Sequence, residues 1–173
     1  MSHSSQLSSS EVLGNYMEIR YLKDSDKSAI CKLSHQINCD HHLNEPEVFC
    51  KPVAEGEDWL FWKESHEKDG GFVLVAISNF NVVGFVAAEV SETPNLPFLN
   101  PIKRCRIATI VVSNKYKNCG VGSALYEKVC EIAKEKGACR LTLEVFAFNS
   151  SAIDFYEKHG FKSTAMYMSK SLA

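Results

Sequence analysis

Long apolar runs are missing from this chain. The longest are Phe72–Ile77, Val82–Ala88 and Ile107–Val112, and Gly84 and Thr109 interrupt two of them. None approaches the roughly 18 residues that a membrane-spanning helix needs, so no membrane segment is expected. An excess of positive charge is missing too: 19 Lys and Arg face 21 Asp and Glu, for a net charge of −2 and a pI of about 6.3. A nucleic-acid binder ordinarily carries a basic field, and this chain has none. Cysteine is not scarce, at seven residues, but the number is odd and no C-x-x-C pair occurs. No zinc spacing joins the cysteines to the six histidines, so no metal is expected. Free buried thiols in a reducing cytosol follow, and with them a cytoplasmic location. Met1–Ser10 has neither a basic n-region nor an apolar h-region, so residues 1–15 read as a flexible polar tail and not as a secretory signal.

What is present suits one domain with a real core, 16–173, in a chain of 173 residues of which 45% are hydrophobic. Tyr16–Leu22 alternates as a first strand. Asp24 or Ser25 caps a helix over Lys27–Ile37, with Ile30, Leu33 and Ile37 at helical spacing. A second helix runs from about Val53 to Lys68 and carries Trp59, Phe61 and Trp62. Phe72–Ser78 and Val82–Val90 form a hairpin across Asn79-Phe80-Asn81. Thr93–Pro101 holds three prolines in nine residues and reads as a stiff loop. Arg106–Ser113 is a buried strand. The turn Asn118–Gly122 opens a helix to about Lys136 whose apolar face is Leu125, Val129, Ile132 and Ala133; Gly137 stops it. Leu141–Phe146 is another buried strand, and Ser151 with Asp154 forms a capping box for a helix through Lys158. Thr164–Lys170 is the last strand. The order β-α-α-β-β-β-α-β-α-β gives a mixed α/β sheet.

The turn between Ile107–Val112 and the following helix is the place for phosphate chemistry. Gly120 and Gly122 let the chain lie flat, the helix start leaves amides unpaired, and Lys117 adds a cation. A G-x-G alone serves a structural turn as well as a ligand. A Rossmann turn would need glycine at Leu125, and a P-loop would need lysine after Gly122.

The run Val112–Leu125 resembles the acetyl-coenzyme A motif [RQ]-x-x-G-x-[GA] of the GNAT superfamily of N-acetyltransferases. Gly120 and Gly122 match it, and Lys117 stands where Arg or Gln is usual. A second run, Leu143–Phe161, is similar to the signature L-E-V-x-x-x-N-x-x-A-I-x-x-Y-x-x-x-G-F of the same superfamily. The resemblance is strong from Ile107 to Phe161 and extends upstream only as element order. It implies a twisted, mostly antiparallel mixed sheet of six to seven strands flanked by about four helices. It implies acetyl-CoA as co-substrate, with its pyrophosphate on Lys117, Asn118, Cys119, Gly120, Val121, Gly122 and Ser123, and its pantetheine arm along Ile110, Val111 and Val112. The amide of Ile110 or Val112 would polarise the acetyl carbonyl. Asn149 would contact the coenzyme arm. Tyr156 would donate to the departing thiolate, against the alternative of a Tyr simply packed on its helix. Glu144 is either the base for the substrate ammonium or a solvated strand-end carboxylate, with Glu89 as a rival base.

The expected activity is acetyl transfer to a primary amine, of a small molecule or a peptide, by direct attack in a ternary complex. Protein N-terminal acetylation is one alternative, and an acetyl-CoA-binding sensor without transfer is another. The stretch Asn38–Glu57, with Asp40, His41, His42, Glu45, Glu47, Glu55 and Glu57, is either a cation-receiving acceptor wall or a solvated acidic surface. Asp40-His41-His42 is not a metal site on this reading, since adjacent histidines on a helix point apart. No nucleic-acid or membrane partner is expected, and the protein is read as a monomer or homodimer.

Overall fold

Alternation in the middle of the chain fails because both faces of the central strands are covered. The computed structural model describes residues 17–52, 56 and 58–172. The expected tail, Tyr16 of the first strand, and Val53, Ala54, Glu55 and Glu57 at the start of the second expected helix lie outside the described residues. The chain divides into two units, Met1–Leu143 and Glu144–Ala173.

The first unit holds a five-stranded sheet in the order β1-β2-β3-β4-β5: Met17–Tyr21, Gly71–Ser78, Asn81–Glu92, Lys103–Val112 and Arg140–Leu143. The first four strands are antiparallel neighbours, and β5 joins β4 in parallel. Helices α1 (Lys27–Asn44), α2 (Trp59–Glu67) and α3 (Val121–Glu135) belong to this unit. On one face of the sheet, Val73, Val75, Phe85, Ala87 and Val111 share a core with Ile30 and Leu33 of α1 and Trp59 and Trp62 of α2. Gly84, one position away from Phe85, faces α3: a Cβ on it would stand 2.8 Å from the Val111 carbonyl oxygen and 3.1 Å from Val121. Strands β2 and β3 are therefore near-continuous apolar runs, as sheets buried on both faces require.

The expected helix over Lys27–Ile37 continues to Asn44. Nothing in Asn38–Asn44 breaks it, and Pro46 disfavours helical backbone at the residue before it. Asp26, not Asp24 or Ser25, occupies its N-cap, and the Asp26 carboxylate is taken by Arg20 in a two-point ion pair at 2.7 and 2.9 Å. The hairpin closes on Asn79 and Phe80, both at positive φ (49° and 64°), as a tight two-residue turn demands.

The second unit holds α4, Ser150–Lys158. Asn149, not Ser151, is its N-cap, and its Oδ1 accepts from the Ala152 amide at 3.1 Å. The strand expected over Thr164–Lys170 is not formed: 162–172 carries no regular structure, and Met166, Tyr167 and Met168 are exposed. The expected strand Leu141–Phe146 is shorter and less buried than its composition suggested, ending at Leu143 with Val145 and Phe146 exposed. The class of a mixed, mostly antiparallel sheet with four helices stands, with five strands in place of six to seven. No helix among the described residues is long and apolar enough to cross a membrane. All described cysteines are free, but Cys50, Cys119 and Cys139 are exposed, contrary to an all-buried set.

Candidate active site

The β4 strand sets the geometry. Its last pairing with β5 is Ile107 to Leu143, and within this sheet it continues from Ala108 to Val112 without a strand on that side. Ser113 N–H donates to the Val83 carbonyl at 2.8 Å, so by strand alternation Ser113 and Val111 turn their peptide groups toward β3, while Ile110 and Val112 turn theirs to the open edge. Gln36 of α1 confirms the direction: its Nε2 donates to the Val112 carbonyl at 3.0 Å, and its Oε1 accepts from the Asn114 amide at 3.2 Å. Val111 keeps its side chain in the core. Across the sheet, Ala87 pairs with Thr109 but Ala88 with Ile107, so Ala108 is an extra residue, a bulge that bends β4 midway.

Beyond Val112 the chain makes one 3-10 turn, Asn114–Tyr116, and reaches α3. Asn118 (φ 61°) and Gly120 (φ 81°) both take left-handed backbone. Gly120 is the N-cap of α3 and supplies no side-chain cap; the first helical bond is Ala124 N–H to Gly120 O at 3.0 Å. The amides of Gly120, Val121, Gly122 and Ser123 precede that bond and have no partner inside the helix. A Cβ at Gly120 would meet nothing within 4 Å, so open space lies before these amides. Lys117 is exposed, and Cys119 turns its thiol to the Lys117 carbonyl at 3.5 Å. Val121 and Leu125 anchor the helix in the core, so only backbone and small side chains face outward here. Uncapped amides, a dipole end and a free cation suit a pyrophosphate.

A cavity of about 260 Å³ opens beside the bulge. Ala108 and Thr109 of β4 line it, with Ile37, Asn38 and His41 of α1 and Asp58, Phe61 and Trp62 at α2. Among the described residues of the acidic stretch singled out in the sequence, only Asn38 and His41 reach this lining. His42 turns to the Phe49 carbonyl at 2.8 Å, and His41 stacks on Phe49 at 4.6 Å between ring centres. Burial lowers the His41 pKa and Asp40 only partly offsets this, so the charged form of the imidazole is disfavoured. Asp58 and Trp62 are residues that sequence reasoning did not assign. An Asp just before an apolar helix reads as an N-cap, and nothing in one dimension shows that its side chain binds Ser34, 24 residues away.

Each expected residue of the second unit is placed within that unit. Glu144 follows the end of β5 and is exposed. Asn149 spends Oδ1 on the helix cap, and its Nδ2 has no hydrogen-bond partner among the described residues. Tyr156 is half-buried, edge-on to Phe155 (5.2 Å) and Phe161 (5.5 Å). Burial pushes its phenol up to about 12. The rival base Glu89 is engaged in an ion pair with Lys68.

Comparison with known proteins matches residues 37–161 to the acetyltransferase (GNAT) family. The L-amino acid N-acetyltransferase AaaT of Escherichia coli is 30% identical over 149 residues, 83% of this chain and 82% of that protein. An N-alpha-acetyltransferase of Sulfurisphaera tokodaii is 30% identical over 115 residues, 64% of this chain and 68% of that protein. In fold, an aminoglycoside N-acetyltransferase solved in complex with CoA superposes with a TM-score of 0.73 at 15% identity, over 92% of this chain and 97% of that one. A Bacillus halodurans protein reaches 0.84 at 20% identity, over 90% and 99%. With its glycine turn, its open β4 edge and a family match over most of its length, the chain belongs to the GNAT family of acetyltransferases.

Proposed function

We propose that this acetyltransferase moves acetyl from acetyl-CoA to the primary amine of a small molecule, by direct attack within a ternary complex, with 16–173 working as one catalytic domain in the cytoplasm. The observation that carries the reading is the uncapped start of α3 at Gly120, reached directly from a strand whose outer edge is open. Acetyl-CoA supplies the activated acyl group. Lys117 and the amides from Asn118 to Ser123 hold its pyrophosphate; Ile110 and Val112 offer peptide groups to its arm, as an added strand would. The Ile110 or Val112 amide polarises the carbonyl, and the Asn149 amide nitrogen is available for the arm.

The amine must lose a proton before its lone pair can attack. The new N–C bond then replaces the C–S bond, and the coenzyme leaves as a thiolate that takes up a proton. Glu144 is the proposed base, and its exposure favours proton exchange through solvent. Tyr156 is the proposed acid. A phenol at about 12 facing a thiol near 8.5 gives its proton up reluctantly, so its contribution is chiefly a hydrogen bond that stabilises the thiolate.

A second reading, acetylation of protein N-terminal amines, is supported by the Glu144 of the L-E-V run and by the likeness to the Sulfurisphaera tokodaii protein. Thiol release from acetyl-CoA, followed with small amines and with short peptides, tests both. Release with small amines supports the first reading and release only with peptides the second. Binding without release to any acceptor points to a sensor.

A further inference from the structure

Asp58 stands at the N-cap of α2 but does not cap it. Its carboxylate turns instead to α1, where Oδ2 accepts from Ser34 Oγ (2.5 Å) and from Asn38 Nδ2 (2.7 Å). Ser34 is fully buried and is itself fixed by Trp62 Nε1 at 2.9 Å. Both donors fall on one oxygen. The other, Oδ1, has no hydrogen-bond or ionic partner among the described residues, and no Lys or Arg lines the cavity. Burial disfavours the charged form of the imidazole in the same lining, which makes it a poor countercharge. A carboxylate drawn away from a cap and locked by a buried relay, with one oxygen left over, is built to receive a cation. Beside it, Phe61 is 59% exposed although it abuts Trp62 edge-on at 4.7 Å. An aromatic left open next to an anion offers an apolar wall and a ring face for an ammonium. The volume lies below the 300–1,000 Å³ usual for drug-sized ligands, so the occupant is small.

We propose that Asp58 is the specificity-determining residue for the acceptor: it holds the ammonium of a small primary amine with an apolar or aromatic body, and it rejects free amino acids. A carboxylate beside the amine would face Asp58 with no cation to meet it, a like-charge clash that works as negative selection. The proposal rests on the acetyltransferase reading above.

The test pairs 2-phenylethylamine with L-phenylalanine, which share a body and differ by the carboxylate, in steady-state thiol release from acetyl-CoA. The wild type should favour the amine by about 100-fold in kcat/KM. In Asp58→Asn the KM for 2-phenylethylamine should rise about tenfold or more, with kcat less affected, and the preference over L-phenylalanine should shrink. Phe61→Ala, at an exposed position that the fold tolerates, should raise the same KM severalfold. Equal or better use of L-phenylalanine by the wild type, preference for spermidine or a short peptide, or an unmoved KM in both variants would overturn the proposal. Calorimetric binding of acetyl-CoA to the same preparations separates the failures: binding with the wrong acceptor preference sinks only the role of Asp58, whereas no binding removes the acetyltransferase reading beneath it.

Discussion

Tyr156 illustrates how a single side chain is tuned by where it packs. Phe155 and Phe161 flank it, burial raises its phenol to about 12, and it stays protonated across the working pH range. If Tyr156 is the acid proposed above, Tyr156→Phe should cut turnover about 100-fold while leaving acetyl-CoA affinity within a factor of two, since that role is a hydrogen bond made as the thiolate departs. An unchanged rate would make Tyr156 a packing residue only. The wild-type rate should also show no alkaline fall attributable to this phenol below pH 10. Glu144→Gln should depress the rate most at low pH, where the amine is most protonated; a small, pH-independent effect would assign that carboxylate to the surface. The glycines, Asn149 and Tyr156 were singled out in the sequence because their spacing matches a motif that extends over many residues, and Gly120 and Asn149 stand at the N-caps of α3 and α4. Asp58 was not, because its meaning depends on Ser34 and Trp62 brought to it by two helices.

Among the elements, α3 and its strand depend on Gly84. A methyl group there would collide with the Val111 carbonyl oxygen at 2.8 Å, and backbone cannot move aside cheaply. Gly84→Ala should therefore cost about 1–3 kcal/mol, read as a lower urea midpoint, and should weaken coenzyme binding by displacing the start of α3. A stability equal to wild type would show that α3 is not seated as described. In the sequence Gly84 is only a break in an apolar run; its purpose requires the register that sets β3 against Val111. Elements with strong periodicity, α3 above all, were read within a few residues. Those that depend on partners were not: α1 ran past Ile37 because no residue stops it, β5 ended early, and Thr164–Lys170 showed apolar residues that the structure leaves exposed and unpaired.

Among the described residues, the buried Cys105 thiol and the half-buried Tyr126 and Tyr156 phenols resist deprotonation. Burial, with the neighbouring Cys130, pushes the Cys105 thiol to about 11, and Tyr126 rises to about 12 through burial and its hydrogen bond with Cys130. Tyr156 is the third. Their ordinary values are 9.0, 10.0 and 10.0, so between pH 9 and 12 the unfolded chain releases protons that the folded chain retains. Stability is then complete below pH 9 and falls as pH rises through that window. Urea melts at pH 8, 9.5 and 10.5 should show a progressive decline, and Cys105→Ala, though less stable overall, should lose less between pH 8 and 9.5. A flat profile would contradict the buried placement of these groups.

The turn at Asn118–Gly122 is the proposed coenzyme site, and calorimetric titration of the protein with acetyl-CoA, with ATP and NAD as controls, is the experiment that decides it. Saturable binding of acetyl-CoA at one site is expected, weakening as salt screens Lys117, with no binding of NAD. Heats no larger than dilution for acetyl-CoA, or equal binding of all three, would contradict it.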